Sequence, residues 1–144
     1  MSVELPFAPV DAIIRRNAGN LRVSADAAEA LARHIQARGA ALAVEAAARA
    51  TDDGRKTLMA EDFGTTGDKA SLELPIAPVD RIARLDIDDR YRVSMDARIA
   101  LATILEAEAD AVAAAAAVLA RHADRRTVIE DDIETYFELA PYFE

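Results

Sequence analysis

The sequence predicts an all-α fold made of two similar units in one chain, each running short helix, long helix, short helix. Three observations predict it. The chain repeats itself: Glu4-Leu5-Pro6-Phe7-Ala8-Pro9-Val10-Asp11 returns as Glu73-Leu74-Pro75-Ile76-Ala77-Pro78-Val79-Asp80, with one change in eight residues. Arg22-Val23-Ser24 returns as Arg92-Val93-Ser94, and Arg55-Lys56-Thr57 as Arg125-Arg126-Thr127. The offset is 69 residues at the first block and 70 at the other two, so the second copy carries one extra residue before Tyr91. A period of about 70 residues is too long for a solenoid repeat and suits a small domain. The second observation is that neither Pro nor Gly interrupts the chain from Ser94 to His122. The third is that helices of this length, about 40 Å, carry an apolar stripe that two short helices cannot cover. Each stripe needs a second long helix across it, and the other copy supplies one.

The elements follow in order. Pro9 and Pro78 stand where a first helical position tolerates proline, and Val10, Ile13 and Ile14, or Val79 and Ile82, form the apolar face of the first short helix. Ser24 and Ser94 are N-caps of the long helices, each with an acidic residue two positions on (Asp26, Asp96) that suits the helix dipole. Leu101, Ile104, Leu105, Val112, Ala116 and Leu119 mark one face of the second long helix. Leu31, Ile35, Leu42 and Ala46 repeat that face in the first, where Gly39 weakens the helix at its middle. His34, aligned with Ile104, is expected as a core or rim histidine. Asp52-Asp53-Gly54 and Ala123-Asp124 end the long helices, and short β-prone pieces follow at Thr57-Leu58-Met59 and Thr127-Val128-Ile129. A third helix then begins in each copy, cut short by Gly64-Thr65-Thr66-Gly67 in the first. The expected boundaries are residues 1–66 for the first unit, 67–72 for a linker and 73–144 for the second unit.

Composition narrows the function. With no Cys there is no disulfide or thiolate metal site. The first residues carry no basic start and no apolar run, and Ala109 to Ala120 is too short and too weakly apolar to span a bilayer. A soluble intracellular protein is expected. The net charge is −9, and of 17 basic residues only Lys56 and Lys69 are lysine. Dividing the chain after Asp68 leaves 8 basic and 10 acidic residues in the first part, and 9 basic and 16 acidic in the second. Abundant Asp, Glu and Ala with almost no Lys suggests adaptation to high internal salt. An ordinary acidic protein from a GC-rich genome is the alternative.

The amino-terminal Leu-Pro-x-Ala-Pro-Val, the Arg-Val-Ser before each long helix, the Arg-Lys-Thr or Arg-Arg-Thr before each third helix and the Asp seven residues after its first Arg resemble archaeal histones. The four landmarks occur in order, twice, and the similarity covers essentially the whole chain, as in a fused histone doublet. The resemblance implies two histone folds crossing their long helices antiparallel in a handshake, here as a pseudodimer within one chain. Covalent linkage makes that pairing largely independent of concentration.

The resemblance also implies a DNA-binding role through paired loops, the first loop of one fold beside the second loop of the other. Arg22 would then lie near Arg125, Arg126 and Thr127, and Arg92 near Arg55, Lys56 and Thr57. Arg22 and Arg92 match an arginine that enters the minor groove, Thr57 and Thr127 a threonine that helps hold it, and Lys56 and Arg126 a phosphate contact. Such binding reads backbone geometry and bendability rather than base edges. Arg55 with Asp62 and Arg125 with Asp132 match a structural salt bridge. Arg15, Arg16, Arg81 and Arg84 on the first helices are candidates for facing DNA at the centre of the unit. Leu119, His122 and Asp132 match the residues through which such units stack. Arg49 and Asp52 replace Leu119 and His122 in the first copy, and Asp52 and Asp62 are expected to repel across a self-contact.

No catalytic constellation, cofactor motif or metal site is evident, so an enzyme is not expected. The acidic run Glu130-Asp131-Asp132 opens a helix, where carboxylates suit the dipole. The expected partners are double-stranded DNA and, through the second-copy face, further copies of the chain; the expected location is the cytoplasm, on the chromosome, with no membrane contact. The acidity opposes this reading: with ~6 phosphate contacts, a tenfold rise in salt costs about five decades of affinity. A histone-fold scaffold for protein contacts, or a transcription regulator that packages little DNA, is therefore the alternative.

Overall fold

The computed structural model of the chain describes residues 2–143. Its elements are α1 (Phe7–Ala18), β1 (Arg22–Val23), α2 (Ala25–Asp52), β2 (Thr57–Leu58), α3 (Ala60–Phe63), α4 (Ile76–Ala83), β3 (Arg92–Val93), α5 (Met95–His122), β4 (Thr127–Val128) and α6 (Glu130–Leu139). Each copy thus gives the expected short, long, short order, although α3 is a single turn of four residues and α6 has ten.

Local chemistry sets the ends. Pro6 and Pro75 are the extended residues before α1 and α4, so Pro9 and Pro78 fall in the first turn rather than at its first position. Their missing N–H groups cost nothing there, because the first four amides of a helix have no internal partner. Ser24 Oγ accepts the Ala27 N–H at 3.2 Å and Ser94 Oγ accepts that of Ala97 at 3.0 Å, which caps α2 and α5. Gly54 and Asp124 follow the long helices in the left-handed region, at φ 73° and 58°.

The long helices α2 and α5 pack together, and α1, α4, α3 and α6 each bridge both of them. Their direction follows from the strands: β1 pairs in parallel with β4, and β2 with β3. The start of each long helix therefore lies beside the end of the other, and the pair is antiparallel. The core is one cluster drawn from both copies, with Ile13, Ile14, Leu31, Leu58, Ile82, Leu101, Leu105 and Ile133 fully buried.

Gly39 sits at the crossing. A Cβ there would come 2.7 Å from Ile82 Cγ2 and 3.0 Å from Leu105 Cδ1, so the residue that weakens α2 as an isolated helix lets α4 and α5 approach it. Aligned Gln36 and Glu106 hold the amino-terminal segment of their own copies. Gln36 Oε1 accepts the Glu4 N–H at 2.7 Å, and Glu106 Oε1 accepts those of Glu73 and Leu74 at 2.8 and 2.9 Å. The linker also packs: a Cβ on Gly67 would meet Thr103 Oγ1 at 1.9 Å, and Lys69–Ser71 form one 3-10 turn.

Candidate nucleic-acid interface

Two equivalent ends are built by the parallel strand pairs. In one, Arg22 is in register with Thr127 and Val23 with Val128; in the other, Thr57 is in register with Arg92 and Leu58 with Val93. Backbone bonds fix both: Arg22 N–H to Arg126 O at 2.8 Å and Ser24 N–H to Val128 O at 3.0 Å, then Arg92 N–H to Lys56 O at 2.9 Å and Ser94 N–H to Leu58 O at 3.1 Å. Val23, Leu58, Val93 and Val128 point into the core. Alternation along a strand turns Arg22 and Arg92 outward, and these two are exposed together with Lys56 and Arg126, the residues just before β2 and β4. Thr57 and Thr127 are half-buried beside them. Among the described residues no side-chain hydrogen bond joins either threonine to its facing arginine. The guanidinium groups extend into water, where their charge is better solvated.

Each end is braced from behind by an ion pair. Arg55 Nη1 lies 2.8 Å from Asp62 Oδ2 and Arg125 Nη2 lies 2.6 Å from Asp132 Oδ1. Both carboxylates are only 2 % exposed, and each also accepts a backbone N–H, Asp62 from Met59 at 2.7 Å and Asp132 from Ile129 at 2.9 Å. Each arginine reaches back to the strand as well, to Thr57 O at 2.9 Å and Thr127 O at 3.2 Å. The hydrogen bond from Arg55 holds the Asp62 carboxyl below the usual carboxylate range, and that to Asp132 raises Arg125. Both pairs lock the second loops.

The first-helix arginines, expected to face DNA, are all exposed, and each is ion-paired. Arg15 Nε bonds Asp11 Oδ2 at 2.6 Å, Arg81 Nε bonds Glu4 Oε1 at 2.9 Å and Arg84 Nε lies 3.1 Å from Asp80 Oδ1. Arg16 lies 3.0 Å from Glu106 Oε2 and 2.7 Å from Asp110 Oδ2, and its bond to Asp110 lowers that carboxyl's pKa. Carboxylates on the same helix or on the other copy neutralise these four charges, so Arg16 and Arg81 tie the copies together instead of standing free.

The stacking candidates are placed unequally. Asp132 and Asp62 are buried in their ion pairs, so neither presents a carboxylate to a neighbouring unit, and the expected repulsion between Asp52 and Asp62 has no surface partner. Arg49 is occupied too, its Nη1 bonding Asp62 O at 2.7 Å. Asp52 and His122 are exposed. Leu119 lines an apolar groove with Val118, Tyr136, Leu139 and Phe143. His34 is a rim residue, stacked on Phe137 at 3.8 Å between ring centroids and bonded to Glu134 at 3.0 Å.

Sequence reasoning missed Arg121 and Tyr91. Arg121 Nη2 caps α1 by bonding Ala18 O at 3.3 Å, while the aligned Thr51 bonds the hydroxyl of Tyr91 on the loop before β3. Each long helix thus ends by gripping the other copy's first loop. The only signal for this in the sequence is that both residues stand one position before the Asp52–His122 pair. Among the described residues no three His, Cys, Asp or Glu side chains converge as a metal site requires, and no helix is long and apolar enough to cross a membrane.

Comparison with known proteins agrees with this architecture. The family described as histone-like transcription factor (CBF/NF-Y) and archaeal histone matches twice, at residues 3–65 and 72–135. The archaeal histone HAN1 of Thermococcus zilligii is 48% identical over 59 residues, covering 41% of this chain and 87% of that protein, about one copy. The crystal structure of the histone from Methanopyrus kandleri superposes with a TM-score of 0.66 at 25% identity, covering 90% of this chain and 91% of that one. With two matched units filling the chain and a handshake formed between them, the protein belongs to the CBF/NF-Y and archaeal histone family, as a tandem histone-fold doublet.

Proposed function

We propose that the doublet is a non-sequence-specific architectural DNA-binding protein of the chromosome, contacting phosphate backbone and minor groove through its paired loops and thereby also modulating transcription. One observation carries this reading. Ten arginines are engaged with carboxylates, but Arg22, Lys56, Arg92 and Arg126 make no ion pair among the described residues and sit together at the two strand pairs. In a chain of net charge −9, four exposed and uncommitted cations so placed suit polyanion contact better than solubility. Such contacts position a duplex without reading its bases.

A salt series of duplex binding tests the proposal, comparing the wild type with Arg22→Ala/Arg92→Ala. Wild-type affinity should fall steeply and linearly in log salt, and the double variant should bind more than tenfold more weakly with a shallower slope. No binding at low salt, or binding indifferent to the two arginines, would overturn it. A second reading, a protein-interaction scaffold, draws on the exposed apolar residues Val118, Leu139, Tyr142 and Phe143 around the α5–α6 groove. Under that reading, stoichiometric protein partners should be recovered with the purified chain in high salt.

A further inference from the structure

The two paired-loop ends share a backbone but not a charge. At the β1–β4 end the chain passes from α1 to β1 through Gly19, Asn20 and Leu21, none of them charged. Taking residues 19–22 with 121–127, this end holds Arg22, Arg121, Arg125 and Arg126 against Asp124 alone. At the β2–β3 end α4 stops at Ala83 and a longer loop reaches Arg92. Residues 84–92 with 51–57 hold five cations (Arg84, Arg90, Arg92, Arg55 and Lys56) against five aspartates (Asp86, Asp88, Asp89, Asp52 and Asp53).

All five of those aspartates are exposed. The cations around them are partly committed. Arg90 Nε bonds Asp88 Oδ1 at 3.0 Å and its backbone N–H bonds the same oxygen at 2.9 Å; Arg84 Nε lies 3.1 Å from Asp80 Oδ1. At the β1–β4 end Arg121 pairs with no carboxylate among the described residues and bonds Ala18 O instead. The central face between the ends adds little, since Arg15, Arg16, Arg81 and Arg84 are all ion-paired.

We propose that duplex DNA is held at one end of the molecule, the β1–β4 end, by Arg22, Arg121 and Arg126, while the aspartates Asp86, Asp88 and Asp89 screen the β2–β3 end from phosphate. The inference rests on the DNA-binding reading above. Bending DNA across the molecule requires two anchored points, so a one-ended grip docks the protein on a duplex without wrapping it. Three exposed charges within about 10 Å of a phosphate in 50 mM salt change affinity by about three- to tenfold. A grip on about three phosphates gives a salt slope near −3.

The experiment measures binding of the full chain to a random-sequence duplex from 50 to 400 mM salt, with circular dichroism confirming helicity for every variant. Arg22→Ala should lose at least tenfold and Arg92→Ala only two- to threefold. Asp86→Asn/Asp88→Asn/Asp89→Asn should gain three- to tenfold, steepen the slope by about one, and make Arg92→Ala costly. Equal losses for Arg22→Ala and Arg92→Ala, or no gain from the Asn variant, would overturn the one-ended grip and leave DNA binding standing. Failure of the wild type to bind at 50 mM salt would remove both. Charge reversal at the same positions, Arg22→Glu against Arg92→Glu, repeats the contrast with larger signals.

Discussion

Set side by side at aligned positions, the two copies agree through most of the core and diverge most on their outward faces. Ala46 and Ala116, Val23 and Val93, and Asp62 and Asp132 are identical and buried in both copies. Two buried positions differ, Gln36 against Glu106 and Gly39 against Ala109, and at the helix ends Gly54 faces Asp124 and Arg49 faces Leu119. At the last of these, Leu119 lines an apolar groove at the end of α5, whereas Arg49 is spent bonding the carbonyl of Asp62. The handshake constrains the inward face of each helix because one shared core must close. It leaves the outward faces of the two copies free to diverge, and linkage in one chain keeps the divergent copies together.

The strongest way to break the comparison is at the buried ion pairs, where the copies are most alike. Removing one partner of a buried pair costs about 3–5 kcal/mol, less here because the arginines keep 26 % and 33 % exposure. Asp62→Ala and Asp132→Ala should each lose about 2–4 kcal/mol in urea unfolding and lose together as one transition, since both pairs brace one core. If Asp62→Ala melted the first copy alone, the single-core description would fail. The pH dependence follows from the lowered Asp62 pKa. A carboxyl depressed in the folded state contributes fully above its unfolded value of about 3.9, and its contribution disappears as pH falls through the lower folded value. Melting temperature should therefore drop below about pH 4, and the drop should be smaller in Asp62→Asn.

The next contrast is Arg16. It bridges α1 to Glu106 and Asp110 on the other copy, while the aligned residue is Leu85, and the position aligned with Glu106 is the uncharged Gln36. The second copy's buried carboxylate thus depends on a first-copy arginine, and the uncharged Leu85 and Gln36 cannot repeat that ion pair. Arg16→Ala should cost about 1–2 kcal/mol, a charged hydrogen bond discounted for the arginine's exposure. Leu85→Ala should cost less than half of that. Equal losses would show that Glu106 is held by its backbone bonds alone.

Much of this was legible in the chain. The repeat gave two units, the helical spacing and caps placed the long helices, and the stripe demanded a partner helix. Pairing of Arg22 with Thr127 and of Arg92 with Thr57 came from the resemblance and is present in the strand registers. What could not be read was the ionic wiring between copies. Arg16 and Arg81 look like any surface arginine on a helix, and only the crossing of the helices brings Asp110 and Glu4 to them. For the same reason Gly39 read as a weak point in a helix, when the constraint on it is the approach of Ile82.

Gly39→Ala sharpens that last contrast. A Cβ trades a better helix former, worth up to about 1 kcal/mol, against overpacking that costs about 1–3 kcal/mol. Ile82 is fully buried and cannot swing aside, so the net should be a loss of about 1 kcal/mol, or about 3 °C in melting temperature. Ala109→Gly should lose a similar amount for the opposite reason, by loosening α5 without relieving any contact. A gain in stability for Gly39→Ala would mean that the helix crossing has slack.

The smallest effect is expected where the long helices end. Gly54 and Asp124 occupy the same left-handed turn, and at Gly54 a side chain would meet nothing within 4 Å. Sterics alone therefore do not explain the aspartate; its φ of 58° carries a strain that glycine would not. Relief of about 1 kcal/mol of strain, partly offset by the greater freedom of glycine in the unfolded chain, should leave Asp124→Gly more stable by about 0.5 kcal/mol. The same change removes the one aspartate among residues 121–127, beside Arg125 and Arg126, so DNA affinity should rise about twofold along with stability. Gly54→Asp reverses both, losing stability and adding a sixth aspartate to the β2–β3 end. If Asp124→Gly destabilised the fold, the aspartate would be holding the turn through its side chain, and the two helix ends would differ in mechanism as well as in charge.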